Sequence, residues 1–260
     1  MKIICDSHVH IGNYDRCCEI LQTTKFRDKY KLYDSVNLGM IQCQDEYVDG
    51  LKNFFAIPIV FKETNIMQEN AYVNEYCNRH PNGIPVSIIS NDFYIPKYNI
   101  WKEHFLLNDY NKINLRNQTY NYINDTGGFL IIHCKDRIRL EYIQKLHQLY
   151  NNINIIIAHL GRDCFENTGF VYSILKKYND EKIFYDLSTI TNPENIKNAF
   201  NMIDNNNILF GSDYPYVSYE NIEKLKEKIY LYADNPDDIF VDNFRGVVKR
   251  LEKSKQNKNI

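Results

Sequence analysis

With 260 residues and 44 % hydrophobic side chains, the chain can bury a large core, and it exceeds the usual single-domain size except in folds such as α/β barrels. Its 31 basic and 33 acidic residues leave a net charge of −2 with the histidines neutral, so the electrostatics argue for neither nucleic acid nor a membrane surface. No apolar stretch approaches the roughly 20 residues of a membrane helix, no secretion signal opens the chain, and the seven cysteines fit neither a disulfide framework nor a CxxC metal clip, which reads as free thiols in a reducing cytoplasm.

The first apolar run, Lys2–Cys5, leads into DSHVHIG at 6–12. Side chains alternate along a strand, so His8 and His10 point the same way. Two imidazoles on one side can grip one ion. Read alone, the pair is equally two polar residues where a strand exits into a loop. The segment 13–53 is too long for one connection and is expected to hold extra helices over a barrel mouth. Further β-branched runs follow at Phe54–Phe61, Ile84–Ile89, Tyr98–Leu106, Phe129–Ile132, Ile153–Ala158, Lys182–Leu187 and Asn207–Phe210, all strand candidates.

Between most of these runs the spacing is helical. RIRLEYIQKLHQLY places Ile138, Tyr142, Ile143, Leu146 and Leu149 on one face. NPENIKNAFNMI opens with a proline near a helix start and aligns Ile196, Phe200 and Ile203. SYENIEKLKEKIYLY repeats Ile222, Leu225, Ile229 and Tyr232. His80, at a helix end, reads as a partner of the helix dipole, and His147, inside a helix, as a surface or packing residue. The tail 246–260 reads as a frayed helix end.

Strand and helix thus alternate about eight times without a linker. That predicts an α/β fold, a (β/α)8 TIM barrel forming one domain over 1–260, with extra helices in 13–53 and a C-terminal helix. A doubly wound open sheet would need a glycine-rich turn after the first strand, where HVHIG stands instead.

Polar residues follow the strand candidates in register. His8 and His10 follow the first, Lys102, Glu103 and His104 the fourth, His133 the fifth, His159 the sixth and Asp213 the last. They are spaced by whole multiples of about 30 residues, one strand–helix unit. All strand C-termini of a parallel barrel lie on one face, so these groups should converge. Several imidazoles and a carboxylate in a small space suit a divalent metal.

Taken in order, DSHVHIG (6–12), IIHC (131–134), AHLGR (158–162) and GSDYP (211–215) resemble the amidohydrolase superfamily of metal-dependent barrel enzymes, in particular the branch of aminocarboxymuconate-semialdehyde decarboxylase and related decarboxylases and hydrolases. VDNFRGVVKRL (241–251) is similar to that family's closing helix, with Asn243 in the usual place.

The resemblance implies that His8, His10 and His133 bind the metal, with Asp213 as a further ligand and as general base. Asp213 read alone is also a helix N-cap before Pro215. His159 either polarises the substrate and moves protons beside one ion, or binds a second ion. The second case needs a bridging ligand, in parts of the family a carboxylated lysine, and Lys102 lies in that place. WKEHF also resembles the Lys-x-His of one-metal members, where Lys102 and His104 line the pocket. One ion is favoured and two stay open; zinc comes first, with manganese and iron as alternatives.

Glu103 should face away, with a salt bridge behind the barrel. Arg162 either holds a substrate carboxylate or phosphate or pairs with Asp163 or Glu166. Cys134 should point away from the mouth, and Asp6 lies too deep to be a ready partner for His8.

The function expected first is hydrolysis of a C–N or C–O bond in a small amide, lactone or ester through metal-activated water. The alternatives are non-oxidative decarboxylation of a small carboxylic acid and, from another class, a non-catalytic binding protein on the same barrel. A deoxyribonuclease of the superfamily would carry a Gly-Glu-x-Gly-type segment that is missing here. The expected partner is a small, anionic substrate, with no nucleic acid and no membrane. A homodimer is compatible with the 14 % aromatic content.

Overall fold

The computed structural model describes residues 4–23, 37–61, 63–103, 117–133, 137–161 and 180–256. Among the described residues, nine parallel strands carry the fold: β1 (Cys5–Ile11), β2 (Asn53–Pro58), β3 (Gly83–Pro85), β4 (Ser87–Ile88), β5 (Ile100–Glu103), β6 (Phe129–His133), β7 (Asn154–Ala158), β8 (Ile183–Asp186) and β9 (Ile208–Leu209). They pair in the order β1-β2-β3 and β4-β5-β6-β7-β8-β9. Only Val86 separates β3 from β4, and its N–H donates to the Ala56 carbonyl at 2.8 Å, so these two are one interrupted barrel strand. At the other end Ser7 N–H donates to Phe210 O (2.9 Å), Asp213 N–H to His8 O (2.8 Å) and His10 N–H to Tyr214 O (2.7 Å). The exit of β9 therefore lies against β1, and the chain has the TIM-barrel arrangement.

The period of two in the strands sorts the core into two layers. Leu130, Ile132, Ile155 and Ile157 face outward, with Trp101 and Val9, into the layer shared with the helices. Phe129, Ile131, Ile156, Ile100, Phe184 and Leu209 face inward. Phe244, Val247 and Leu251 of the C-terminal helix α9 (Asn243–Gln256) join this inner cluster and seal one end of it. Asn243 fastens that helix by donating from Nδ2 to the Ile208 carbonyl at 2.7 Å.

The described residues of the long segment after β1 hold three helices: α1 (Tyr14–Thr23), α2 (Leu38–Gln42) and α3 (Gln44–Asp49). They are tied to the barrel mouth. The Tyr47 ring stacks on Tyr214 at 4.2 Å, its hydroxyl donates to Asp6 Oδ2 at 2.8 Å, and the Tyr214 hydroxyl donates to the Met40 carbonyl. Arg16 of α1 grips the buried Glu69 of α4 (Ile66–Arg79) through two bonds of 2.7 and 2.9 Å.

The remaining α-helices among the described residues are α5 (Asn117–Thr126), α6 (Arg137–Leu149), α7 (Pro193–Met202) and α8 (Tyr219–Tyr232). The faces expected for α7 and α8 are the buried ones. In α6, Tyr142, Ile143 and Leu146 are buried, but Leu149 is 61 % exposed because the helix ends there and its last turn leaves the core. His80 follows α4 as its C-cap, stacked on Tyr76 at 4.3 Å and 3.5 Å from Asp45. His147 lies 3.5 Å from Asp180. No described helix is long and apolar enough to cross a membrane.

Candidate metal centre

Lys102, His133 and Asp186 each stand two residues beyond an inward apolar residue (Ile100, Ile131 and Phe184), so they point into the barrel above the apolar plug. His8 and His10 reach the same level from β1, where a register shift between Asp6 and Val9 re-aims the strand. His159 and Asp213 come from the turns that follow β7 and β9. Both have left-handed backbones, with φ of 56° and 58°. That conformation is costly for a residue with a side chain, and here it turns both side chains back over the barrel axis. Gly211, just before Asp213, is required by space: a Cβ there would meet His8 Cβ at 2.9 Å.

The hydrogen-bond partners set the protons on the rings. His8 Nδ1 lies 2.8 Å from Asp186 Oδ2, so it carries a proton and leaves Nε2 with its lone pair. His10 Nδ1 donates to the Pro58 carbonyl at 3.3 Å, with the same result. Ser188 Oγ gives its proton to Asp186 Oδ1. His159 Nδ1, 2.7 Å from that Oγ, is therefore a donor, and its Nε2 accepts from His133 Nδ1 at 3.2 Å. All four rings thus carry their proton on Nδ1.

Burial pushes the pKa of His10 down to about 3 and of His159 down to about 4, so both are neutral at ordinary pH. Burial acts the same way on Lys102, lowering it to about 8 against the pull of Asp213 and Asp186. For Asp213, burial raises the carboxyl, but His159, His10 and His8 outweigh it and hold it well below the usual carboxylate range. Asp186 behaves alike, through His8 and His159.

One ligating atom each from His8, His159 and Asp213 falls within 4.8 Å of the others, and all three residues are buried. His10 Nε2 adds to them at 3.3 Å from Asp213 Oδ1. Imidazole nitrogens that carry a lone pair and no proton, converging beside an ionised carboxylate, are the donors that a first-row divalent ion takes, so the residues present fit such an ion. His133 meets this group through His159, with ring centroids 4.8 Å apart. Lys102 Nζ sits inside it, 2.7 Å from His8 Nε2 and 3.3 Å from His10 Nε2.

Other expected residues fall elsewhere. Glu103 faces away as foreseen, and its carboxylate accepts from the hydroxyls of Tyr120 and Tyr142, each at 2.7 Å. Asp6 does not touch the His8 ring through any described bond; its Oδ1 accepts from the backbone of His8 and Ser212. Asp213 is no helix cap, since the next helix begins after Ser218. His104, Cys134 and Arg162 lie outside the described residues.

Sequence reasoning missed Asp186 and Ser188, in FYDLS at the end of β8. They are the partners that orient His8 and His159. The signal was present, since Asp186 shares the inward parity of Phe184. It also missed Tyr216, whose ring meets His10 edge-on at 4.9 Å.

A family model described as Amidohydrolase matches residues 100–245, more than half of the chain. No curated protein matches the sequence. Several solved structures are similar over nearly the whole chain. A 2,6-dihydroxybenzoate decarboxylase from Rhizobium aligns over 96 % of this chain and 99 % of its own at 11 % identity, with a TM-score of 0.63. A 5-carboxyvanillate decarboxylase from Novosphingobium aromaticivorans, complexed with manganese and 4-hydroxy-3-methoxy-5-nitrobenzoic acid, aligns over 95 % and 96 % at 10 % identity, with a TM-score of 0.68. An uncharacterized TIM-barrel protein from Bordetella bronchiseptica aligns over 96 % and 100 % at 12 % identity, with a TM-score of 0.64. At such identities the likeness establishes the fold.

Proposed function

The chain belongs to the amidohydrolase family, and on that premise we propose that it is a metal-dependent decarboxylase of a small, anionic carboxylic acid. The observation that carries the reading is the convergence of buried His8, His10 and Asp213, with Asp213 Oδ1 3.5 Å from His8 Nε2 and 3.3 Å from His10 Nε2. The two decarboxylases of the same fold, one crystallised with manganese and a nitrobenzoic acid, favour loss of CO2 over hydrolysis.

In this proposal His8, His10, His133 and Asp213 hold one divalent ion. His133 Nδ1 gives its proton to His159 and leaves Nε2 for the ion, as the Nδ1 bonds of His8 and His10 do for theirs. When bound, the ion supplies positive charge that fixes and polarises the substrate carboxylate. Decarboxylation breaks the bond from carbon to CO2, leaves its electron pair on carbon and adds one proton there. We assign that proton to His159. His159 is neutral at rest, so in each turnover it takes one proton from solvent and passes it to that carbon; burial pushes its pKa down to about 4, which makes the charged ring a strong donor. Asp213, held ionised, balances the charge of the centre.

Hydrolysis by the same residues is the second reading. It is favoured by that ionised carboxylate, a base able to take the proton of an attacking water. The test is incubation of metal-loaded protein with hydroxybenzoic acids labelled at the carboxyl carbon, in parallel with aryl esters and lactones in 18O-water. Labelled CO2 with no 18O in any product supports decarboxylation. 18O in a product carboxylate, with no CO2 released, overturns it in favour of the hydrolase.

A further inference from the structure

Lys102 carries an inference that rests on the metal reading above. Its side chain comes off β5 and is almost wholly buried. Its Nζ lies 2.7 Å from His8 Nε2 and 3.3 Å from His10 Nε2. The Nδ1 protons of both rings are already committed, to Asp186 and to the Pro58 carbonyl. The Nε2 atoms therefore present lone pairs. An imidazole nitrogen has a single lone pair in the ring plane, and it can go to an N–H donor or to an ion, not to both.

Asp213 Oδ1 stands 3.5 Å from His8 Nε2 and 3.3 Å from His10 Nε2. Three acceptors so close, with no proton among them, repel one another unless a cation stands between. The amino group of Lys102 supplies that charge, bonded to both ring nitrogens and drawn electrostatically toward Asp213.

We propose that Lys102 is the built-in occupant of the metal-free centre: its amino group takes the lone pairs of His8 and His10 that an ion would use, and it withdraws when the ion binds. Two consequences follow from one contact. Ion and lysine compete, so the native protein binds metal more weakly than its donor set allows. Without metal, the lysine keeps the facing acceptors satisfied and the barrel mouth in shape.

The test compares metal-free native protein with Lys102→Met, which keeps the apolar stem and removes the donor, and with Lys102→Gln, which keeps a neutral donor. Cobalt(II) uptake is followed by visible absorption and zinc(II) by competition with a chromophoric chelator. Melting temperature is measured without metal. We expect Lys102→Met to bind either ion about tenfold more tightly or better, and to melt about 3 °C or more below the native protein when metal-free. Lys102→Gln should fall between the two. It also keeps the comparison available if Lys102→Met does not fold.

Equal affinity and equal stability in all three proteins would overturn the inference and leave the metal site standing. Weaker uptake in both variants would also overturn it, because Lys102 would then be a ligand, as a bridging carboxylated lysine would be. No uptake by any of the three would remove the metal site itself, and this inference with it.

Discussion

Asp186 Oδ2 lies 2.8 Å from His8 Nδ1, a bond between two wholly buried side chains 178 residues apart that joins β8 to β1 across the barrel. The other oxygen of the same carboxylate accepts from the backbone N–H groups of His159 (3.1 Å) and Ser188 (3.0 Å). One carboxylate therefore orients a ring on β1 and the turn that carries a second ring after β7.

Asp186→Asn tests this relation. The amide nearly matches the shape, but it can turn a donor toward His8 Nδ1 and shift the ring proton to Nε2, where the lone pair is needed. Metal affinity should fall about 10- to 100-fold while the circular dichroism spectrum stays native. Isothermal titration of the variant with zinc or manganese checks it; unchanged affinity would mean that His8 needs no such partner.

His133 and His159, 3.2 Å apart, separate holding the ion from moving the proton. His133→Ala should lower the metal content of purified protein. His159→Ala should keep most of the metal and lose about 100-fold or more in CO2 release. Elemental analysis beside single-turnover assays would expose the opposite pattern, in which the two rings exchange roles.

Metal-free protein should lose stability on mild acidification. His10 and His159 have folded values of about 3 and about 4, whereas each takes a proton near pH 6.5 when unfolded. Between those limits the unfolded chain binds more protons, so stability falls as pH drops below about 6.5. Asp186 and Asp213, both held below their ordinary value, act in the same direction at still lower pH. Urea unfolding at pH 7 and pH 5 should differ by at least about 1 kcal/mol. A flat profile would show that these rings are protonated in the folded protein.

Gly211→Ala should disturb the centre without replacing a ligand. The new Cβ would press on His8 Cβ at 2.9 Å, in a place where backbone and ring are both fixed. A cost of about 1–3 kcal/mol is expected, with weaker metal binding alongside. Thermal melting and metal titration of the same preparation report both, and native values in both would show that β1 and the β9 exit can move apart.

Much of this centre is legible in the chain because strands alternate. The β-branched runs mark the strands, and parity along FLIIH places His133 on the side of Phe129 and Ile131. The same rule points Glu103 away from Lys102. The long segment after β1 is readable as added helices from its length alone, and the closing helix from the likeness of VDNFRGVVKRL (241–251) to that of the family.

What the sequence by itself determined is the side of each strand on which a residue stands, since that depends on a local period of two. Only the tertiary structure decided the partners. Asp186 looks like any polar residue at a strand end until β8 and β1 close across the barrel. Tyr47 and Tyr214 stack only because the helices at 38–49 fold back over the mouth. The amino group of Lys102 finds His8 and His10 because a long side chain spans the width of the barrel interior. Sidedness is set by neighbouring residues, whereas contact is set by segments ninety or more residues apart meeting in the barrel.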